Sequence, residues 1–172
     1  ILSAHGSAPA VYDACREREL RVIDATCPLV TKVHAEVRRY ATRGATVFLV
    51  GHADHDEVVG TRGEAPDCVV VVEDVAQAER VEVADPENVA LTTQTTLSLD
   101  DTAEIVAVLR RRFPALREPS SSDICYATQN RQDAVKQAVG DGAELVLVVR
   151  SPTSPNSQRL VAVARAGGAD AY

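Results

Sequence analysis

Apolar runs of strand length alternate with stretches of helical periodicity along the whole 172-residue chain, and no other feature restricts the fold as strongly. That alternation is the pattern of α/β units, in which parallel strands are covered by the helices that connect them. The side chains agree with it. With two Phe, four Tyr and no Trp, the core has to be built from Val, Ala, Leu and Ile, which suits strands buried on both faces. A chain of this length buries a sizeable core in one or two domains, and its 45% hydrophobic and 25% charged residues are those of an ordinary globular protein.

The periodicities fall into three groups. The first holds a helix over 9–17, with Ser7 able to cap it and Pro9 in its first turn, and a short strand at 21–24. The second opens with a helix over 28–43, in which Leu29, Val30, Val33, Val37 and Ala41 recur at three- and four-residue spacing before Gly44 ends it. Strands are expected at 46–50, 68–72 and 89–92, with a short helix at 74–80. A helix over 100–113 begins with the capping spacing of Ser98 and Asp101 and buries Ile105, Leu109 and Phe113. Two Pro and three consecutive Ser between 114 and 122 mark a linker. The third group has a turn at 123–126, a helix over 127–139 ended by Gly140-Asp141-Gly142, a strand at 144–149 and a helix over 155–165. Domain limits are therefore expected at 1–27, 28–118 and 119–172.

A formal charge of -7 argues against a nucleic-acid partner, because counterion release requires a basic footprint. Arg38-Arg39 and Arg110-Arg111-Arg112 come late in helical segments, where cations suit the helix dipole, and they read as solvated faces. No apolar run approaches the roughly 20 residues that span a bilayer, and the first residues lack the pattern of a signal peptide. A cytoplasmic protein with no membrane partner is expected. Ile1-Leu2-Ser3, without an initiator Met, reads as the tail of a strand, and 169–172 as a strand just begun. The chain is thus expected to be a fragment.

Four cysteines in a cytosolic protein are expected to be reduced, catalytic or metal-bound, and since none forms a CxxC, local context has to sort them. Cys27, in Asp24-Ala25-Thr26-Cys27-Pro28, and Cys125, in Asp123-Ile124-Cys125-Tyr126-Ala127-Thr128, each stand just before a helix, where free N–H groups and the dipole stabilise a thiolate. They are either ligands or two unreactive thiols. Cys15 and Cys68 read as small buried hydrophobes. His52, His55 and Glu57 follow a strand, the place where ligands bind in open α/β sheets; they can pair an electrostatic binder with a proton donor or form a solvated turn. Ser3-Ala4-His5-Gly6-Ser7 is a second corner with a histidine. Thr92-Thr93-Gln94-Thr95-Thr96 offers more hydroxyls than one cap needs, which suggests binding. The polar loop at 151–157 suits phosphate oxygens. Five such corners could share one cleft, and a structural zinc site from His52, His55 and a cysteine is a further reading.

Together these segments resemble the 4-hydroxy-3-methylbut-2-enyl diphosphate reductase family, iron–sulfur enzymes of the last step of the non-mevalonate isoprenoid pathway. The resemblance runs nearly end to end. Its most specific parts are Ser3-Ala4-His5-Gly6, the stretch from Asp24 through Cys27 and Lys32 to His34, Gly51-His52-Ala53 through Glu57, Thr93-Gln94-Thr95-Thr96-Leu97-Ser98, and Asp123 through Thr128. It implies small parallel-sheet α/β units in a three-domain, pseudo-threefold arrangement around a central [4Fe-4S] cluster. Three thiolates hold that cluster, of which Cys27 and Cys125 are two and the third lies outside this chain. One iron is then open to act as a Lewis acid on the substrate's terminal hydroxyl. The resemblance makes Glu57 the proton source for the departing water, with Thr95 relaying or positioning. It also makes His5, His55, Thr95, Ser154 and Asn156 substrate-binding, and ferredoxin or flavodoxin the electron donor. A carboxyl can hold such a proton at neutral pH only if burial or nearby negative charge raises its pKa.

Three departures accompany the resemblance. The family's first cluster cysteine with the diphosphate-binding histidine that follows it would precede Ile1, and a C-terminal serine would lie beyond Tyr172. Pro155 stands where a second binding serine is usual, which removes a hydroxyl and a backbone donor. The alternative reading is a divergent homologue that binds an anionic metabolite or a metal without redox turnover.

Overall fold

The structure is a computed structural model that describes residues 1–149 and 154–172. Along the chain run α1 (Pro9–Glu17), α2 (Pro28–Ala41), β1 (Thr46–Val50), α3 (Asp56–Gly63), β2 (Val69–Val72), α4 (Val75–Arg80), β3 (Val89–Thr93), α5 (Leu99–Arg112), α6 (Tyr126–Gly140), β4 (Leu145–Val146), α7 (Pro155–Ala166) and β5 (Asp170–Ala171). They form two compact units, Ile1–Thr95 with Asp100–Asp123, and Thr96–Leu99 with Ile124–Tyr172.

In the first unit the valine-rich runs make a parallel sheet in the order β2-β1-β3. Phe48 stands opposite Val70 on one neighbour and Leu91 on the other. Every residue of β3, and all of β1 except Thr46, is buried, as expected of strands covered on both faces. Side chains alternate across a strand, and β1 divides accordingly. Val47 and Leu49 enter a core with Val37 and Tyr40 of α2 and Val58 of α3. Phe48 turns to the other face, where its ring meets Phe113 with centroids 4.9 Å apart. The stripe expected on α2 is real, with Val30, Val33 and Val37 buried and Leu29 and Ala41 at its half-buried margins. Gly44, with φ +69, turns the chain from α2 into β1.

Several local expectations change. α1 is capped by Ala8 without a side-chain bond, so Ser7 does not cap it. The strand expected at 21–24 and the one ending at Ser3 reduce to a single parallel bridge between Leu2 and Asp24. α3 was not anticipated, because Asp56–Gly63 carries no apolar periodicity and its helix depends on packing; the backbone of Gly60 runs against that of Gly6 and Ser7. The 114–122 stretch is not a free linker. Arg117 N donates to Val89 O and Arg117 O accepts from Leu91 N, which lays this segment against β3. Cys15 and Cys68 are half-buried rather than buried. Arg38, Arg39, Arg110 and Arg111 are exposed, as expected of solvated faces, and pair at the surface, Arg38 with Glu64 at 2.7 Å, Arg110 with Glu118 through two bonds of 2.6 and 2.7 Å, and Arg111 with Glu79; the half-buried Arg112 donates to the carbonyls of Ala78 and Val81.

The second unit packs α6 against α7 over a two-stranded parallel pair, β4 with β5. Its core is Val161, Ala164 and Ala171 with Val135, Val139, Val146 and Val148 around them. The strand expected at 144–149 is regular only over Leu145–Val146. No helix among the described residues is long and apolar enough to cross a membrane.

Phe48 is fully buried between the sheet and the Phe113 ring, so truncation leaves a cavity that the rigid sheet cannot close. Phe48→Ala should cost about 3–5 kcal/mol of unfolding free energy in a denaturant titration; a loss under about 1 kcal/mol would show that β1 is not the centre of this core.

Candidate functional site

Parallel sheets bind ligands beyond the carboxyl ends of their strands, where the strand order reverses. In the order β2-β1-β3 that point lies between β1 and β3, and both strands end there in close contact. Gln94 N donates to Val50 O at 2.8 Å, and the Gln94 side-chain oxygen accepts from His52 N at 3.0 Å. Gly51 makes the approach possible, since a Cβ on it would lie 2.8 Å from Val58 Cγ2 and 2.9 Å from Gln94 Cβ.

β1 leads into the 51–55 turn and then α3, whose first turn carries Glu57. The residue is 1% exposed. Thr95, just past the end of β3, supplies both bonds of its carboxyl: the amide to Oε1 at 2.6 Å and the hydroxyl to Oε2 at 2.9 Å. Burial pushes the Glu57 pKa up to about 7; the two Thr95 bonds oppose the shift, and the charge of Asp123 adds to it. Near neutral pH this carboxyl therefore exchanges its proton readily. The 2.9 Å pair works in both directions. When Glu57 is ionised the hydroxyl donates to it; when protonated, Glu57 donates and frees the hydroxyl proton of Thr95 for a third group.

His55 caps α3 in an unusual way, its Nδ1 accepting from Glu57 N at 3.1 Å. That bond assigns the proton of the neutral ring to Nε2. Burial, and then the neighbouring His5, hold the His55 pKa below the usual histidine value, so the ring acts as a neutral donor through Nε2. The His5 ring stands edge-on to it with centroids 5.1 Å apart. The loop of His5 is tied in turn to Cys27, whose amide donates to Ala4 O at 3.0 Å. Asp24 shapes the approach to Cys27 by accepting from the amide and hydroxyl of Thr26 and from the Tyr12 hydroxyl. These bonds, those of Thr26 foremost, hold its carboxylate below the ordinary range.

Cys27, His5, His55, Glu57 and Thr95 thus form one connected set in the first unit. The second unit carries Cys125 as N-cap of α6, Ser154 as N-cap of α7, and Asn156 in the first turn of α7. Neither Cys125 nor Ser154 makes a side-chain cap bond; Ser154 accepts from the Ser157 hydroxyl at 3.2 Å. Asn156 Oδ1 is buried without a partner among the described residues. Arg150 and Ser151 through Thr153, part of the expected phosphate loop, lie outside the described residues. Pro155 is the first residue of α7, where a missing N–H costs nothing.

Of the hydroxyls in the 92–96 stretch, Thr92 bonds Asp123 and Thr95 bonds Glu57, while the buried Thr93 Oγ1 has no partner among the described residues. No group of three His, Cys, Asp or Glu side chains able to hold a metal ion occurs among the described residues, and the His55 Nδ1 is committed to the cap, which removes the basis for a structural zinc site. Cys68 immediately precedes β2, at the amino end of the parallel strands, whereas Glu57 and Thr95 lie beyond their carboxyl ends. Cys27 and Cys125 have the donor chemistry of metal–sulfur ligands, being unpaired and half-exposed at helix starts, but do not by themselves complete a ligand set. The reading of the residues passed over Lys32 and Asp123, whose only signal was their place near Cys27 and Cys125.

Fold and site define an α/β protein with a proton-holding acid and paired imidazoles at its switch point and thiols at helix starts. The chain belongs to the LytB protein family, whose model matches residues 1–172. It is 58% identical over 171 residues to the 4-hydroxy-3-methylbut-2-enyl diphosphate reductase of Acidothermus cellulolyticus and 57% identical to that of Mycolicibacterium paratuberculosis, matching 99% of this chain in both. It spans about half the length of these relatives, 50% and 51%. The structure of the E-1-hydroxy-2-methyl-but-2-enyl-4-diphosphate reductase from Plasmodium falciparum superposes with a TM-score of 0.91 at 40% identity, over 99% of this chain and 53% of that one.

The raised pKa of Glu57 has a stability consequence with a definite sign. An unfolded glutamate releases its proton near 4.5 while the folded one holds it to about 7, so the folded state binds more protons between these values. The contribution of Glu57 to stability is complete below 4.5 and is lost as pH rises through 7, on the order of 3 kcal/mol in all. Glu57→Gln keeps both contacts with Thr95 and carries no such proton. The difference in unfolding free energy between wild type and variant should therefore decline from pH 4.5 to 8, and a flat difference would show that Glu57 titrates normally.

Proposed function

We propose that these residues are part of a 4-hydroxy-3-methylbut-2-enyl diphosphate reductase, which removes the terminal hydroxyl of its substrate to give isopentenyl and dimethylallyl diphosphate. The observation that carries the reading is the buried Glu57 carboxyl on its two Thr95 bonds, able to hold a proton at neutral pH. A [4Fe-4S] cluster held by Cys27 and Cys125, with a third thiolate from outside these residues, would supply electrons and Lewis acidity toward the C–O bond. Glu57 would give up the proton that leaves with the hydroxyl as water, and the Thr95 hydroxyl would pass it on.

His5 and His55, with Thr95, Ser154 and Asn156, would bind the substrate, the histidines, Ser154 and Asn156 through its diphosphate. The Nε2–H of a neutral His55, the Ser154 hydroxyl that caps no amide, and the Asn156 Oδ1, which has no partner among the described residues, support this assignment. A diphosphate nearby would raise the Glu57 pKa further and keep it protonated until turnover. Ferredoxin or flavodoxin as donor, a cytoplasmic setting, and a division into 1–27, 28–118 and 119–172 as parts of three α/β units belong to the same proposal.

The test is anaerobic purification of the full-length protein, with visible and electron paramagnetic resonance spectra and turnover under a reduced viologen. A reconstituted cluster and formation of both products are expected; the lack of any cluster signal would leave an anion-binding homologue instead. Glu57→Gln should keep the cluster spectrum and substrate binding while turnover falls about 100- to 10,000-fold. Unchanged turnover would take Glu57 out of the reaction.

A further inference from the structure

The proposed reaction makes no use of an ion pair between the half-buried Lys32 and the buried Asp123 that reaches the same strand end. Asp123 is wholly shielded from solvent and its Oδ1 lies 2.8 Å from Lys32 Nζ, which also donates to Ser121 O at 3.0 Å. Its Oδ2 accepts from the Thr92 hydroxyl at 2.8 Å and the Thr93 amide at 3.3 Å. Two residues on, Thr95 gives its own hydroxyl and amide to Glu57. One short segment, Thr92-Thr93-Gln94-Thr95, therefore supplies donors to two buried carboxylates. Asp123 has Lys32 as its counter-charge, and among the bonds and ion pairs described Glu57 has none.

The sheet holds this segment only so far. Thr92 and Thr93 are still in register with Leu49 and Val50, and Gln94 N makes a last bond to Val50 O. Thr95 is beyond the ladder, so its place over Glu57 depends on the direction in which the strand end leaves the sheet. Asp123 grips the two residues before that exit. An ion pair taken largely out of water, as this one is, adds little net stability over an apolar replacement, and its best-attested use is to select one register or arrangement.

We propose that Lys32 and Asp123 are positioning residues for Glu57, acting through Thr92 and Thr93 to set the Thr95 donors on its carboxyl. The proposal rests on the reading of Glu57 as the proton-holding residue and adds the device that keeps its partner in place. Neither Lys32 nor Asp123 touches substrate in this account.

The experiment follows Thr95 amide exchange and the titration of the ¹³C-labelled Glu57 carboxyl in the full-length protein. In Asp123→Ala, Thr95 should exchange about tenfold faster or more while Val47 and Leu49 in β1 keep their rates, because the opening is local. The Glu57 midpoint should lie above that of Asp123→Asn, because both variants lose the like charge of Asp123 and only Asp123→Ala also withdraws the donors that favour the ionised form. Asp123→Asn should restore slow exchange at Thr95, since its amide oxygen still accepts from Thr92 and Thr93, and should bring the Glu57 midpoint below wild type because a like charge is gone. Unchanged exchange at Thr95 in Asp123→Ala would overturn the proposal, as would equal acceleration at Val47 and Leu49 or a Glu57 midpoint that is the same in Asp123→Ala as in Asp123→Asn. Should Asp123→Ala fail to fold, Thr92→Val removes one donor to Asp123 and keeps every charge; faster exchange at Thr95 is again expected, and an unchanged rate overturns the proposal. Both readouts exist without turnover, so loss of the reductase reading and loss of this one are separate results.

Discussion

Burying Glu57 to 1% exposure obliges the surroundings to satisfy its carboxyl without neutralising it. A buried ionised carboxylate with no counter-charge is costly, and the group responds by keeping its proton. The two bonds from Thr95 are enough for a neutral acid and too few for a comfortable anion. Much else in the first unit serves this contact. β1 and β3 must be neighbours so that the residues after each can meet, Gly51 must lack a side chain so that Gln94 can close over it, and His55 must turn Nδ1 inward to start α3 where Glu57 is needed.

Two carboxylates on one segment are treated in opposite ways. Asp123 has Lys32 within 2.8 Å together with two further donors, so its charge is matched; Glu57 has no cation paired with it among the described residues and feels Asp123 as a like charge. This is the separation expected where one group must stay fixed and another must exchange a proton. The histidines follow the same economy of charge, since burial and mutual proximity keep His55 neutral and leave it a donor rather than a cation.

The α/β class was readable because valine-rich runs buried on both faces and helices with an apolar stripe have distinct periods. α2 and the three sheet strands accordingly lie within a few residues of expectation. α3 was not readable, for its stripe is lost among Gly60, Thr61 and Gly63 and the helix is held by contact with the Gly6 loop. The 114–122 stretch misled through composition: Pro and Ser mark irregular backbone, but they do not say whether that backbone pairs with β3. At the site, Cys27, His5, His55, Glu57 and Thr95 could be named from local motifs. The surplus of hydroxyls at 92–96 could be noticed, but its purpose could not, because Asp123 is some thirty residues away in the chain.

What the sequence alone determined is therefore chemical kind and local setting: which thiols begin helices, which acid and imidazoles follow a strand, and that the strands are parallel and buried. These are properties of neighbours along the chain, where spacing and propensity act. Which groups meet was decided only by the tertiary structure. The pairing of Glu57 with Thr95, of Lys32 with Asp123, and of His5 with His55 arises because the sheet order brings distant loops to one edge, and the proton on Glu57 arises because that edge is closed to water.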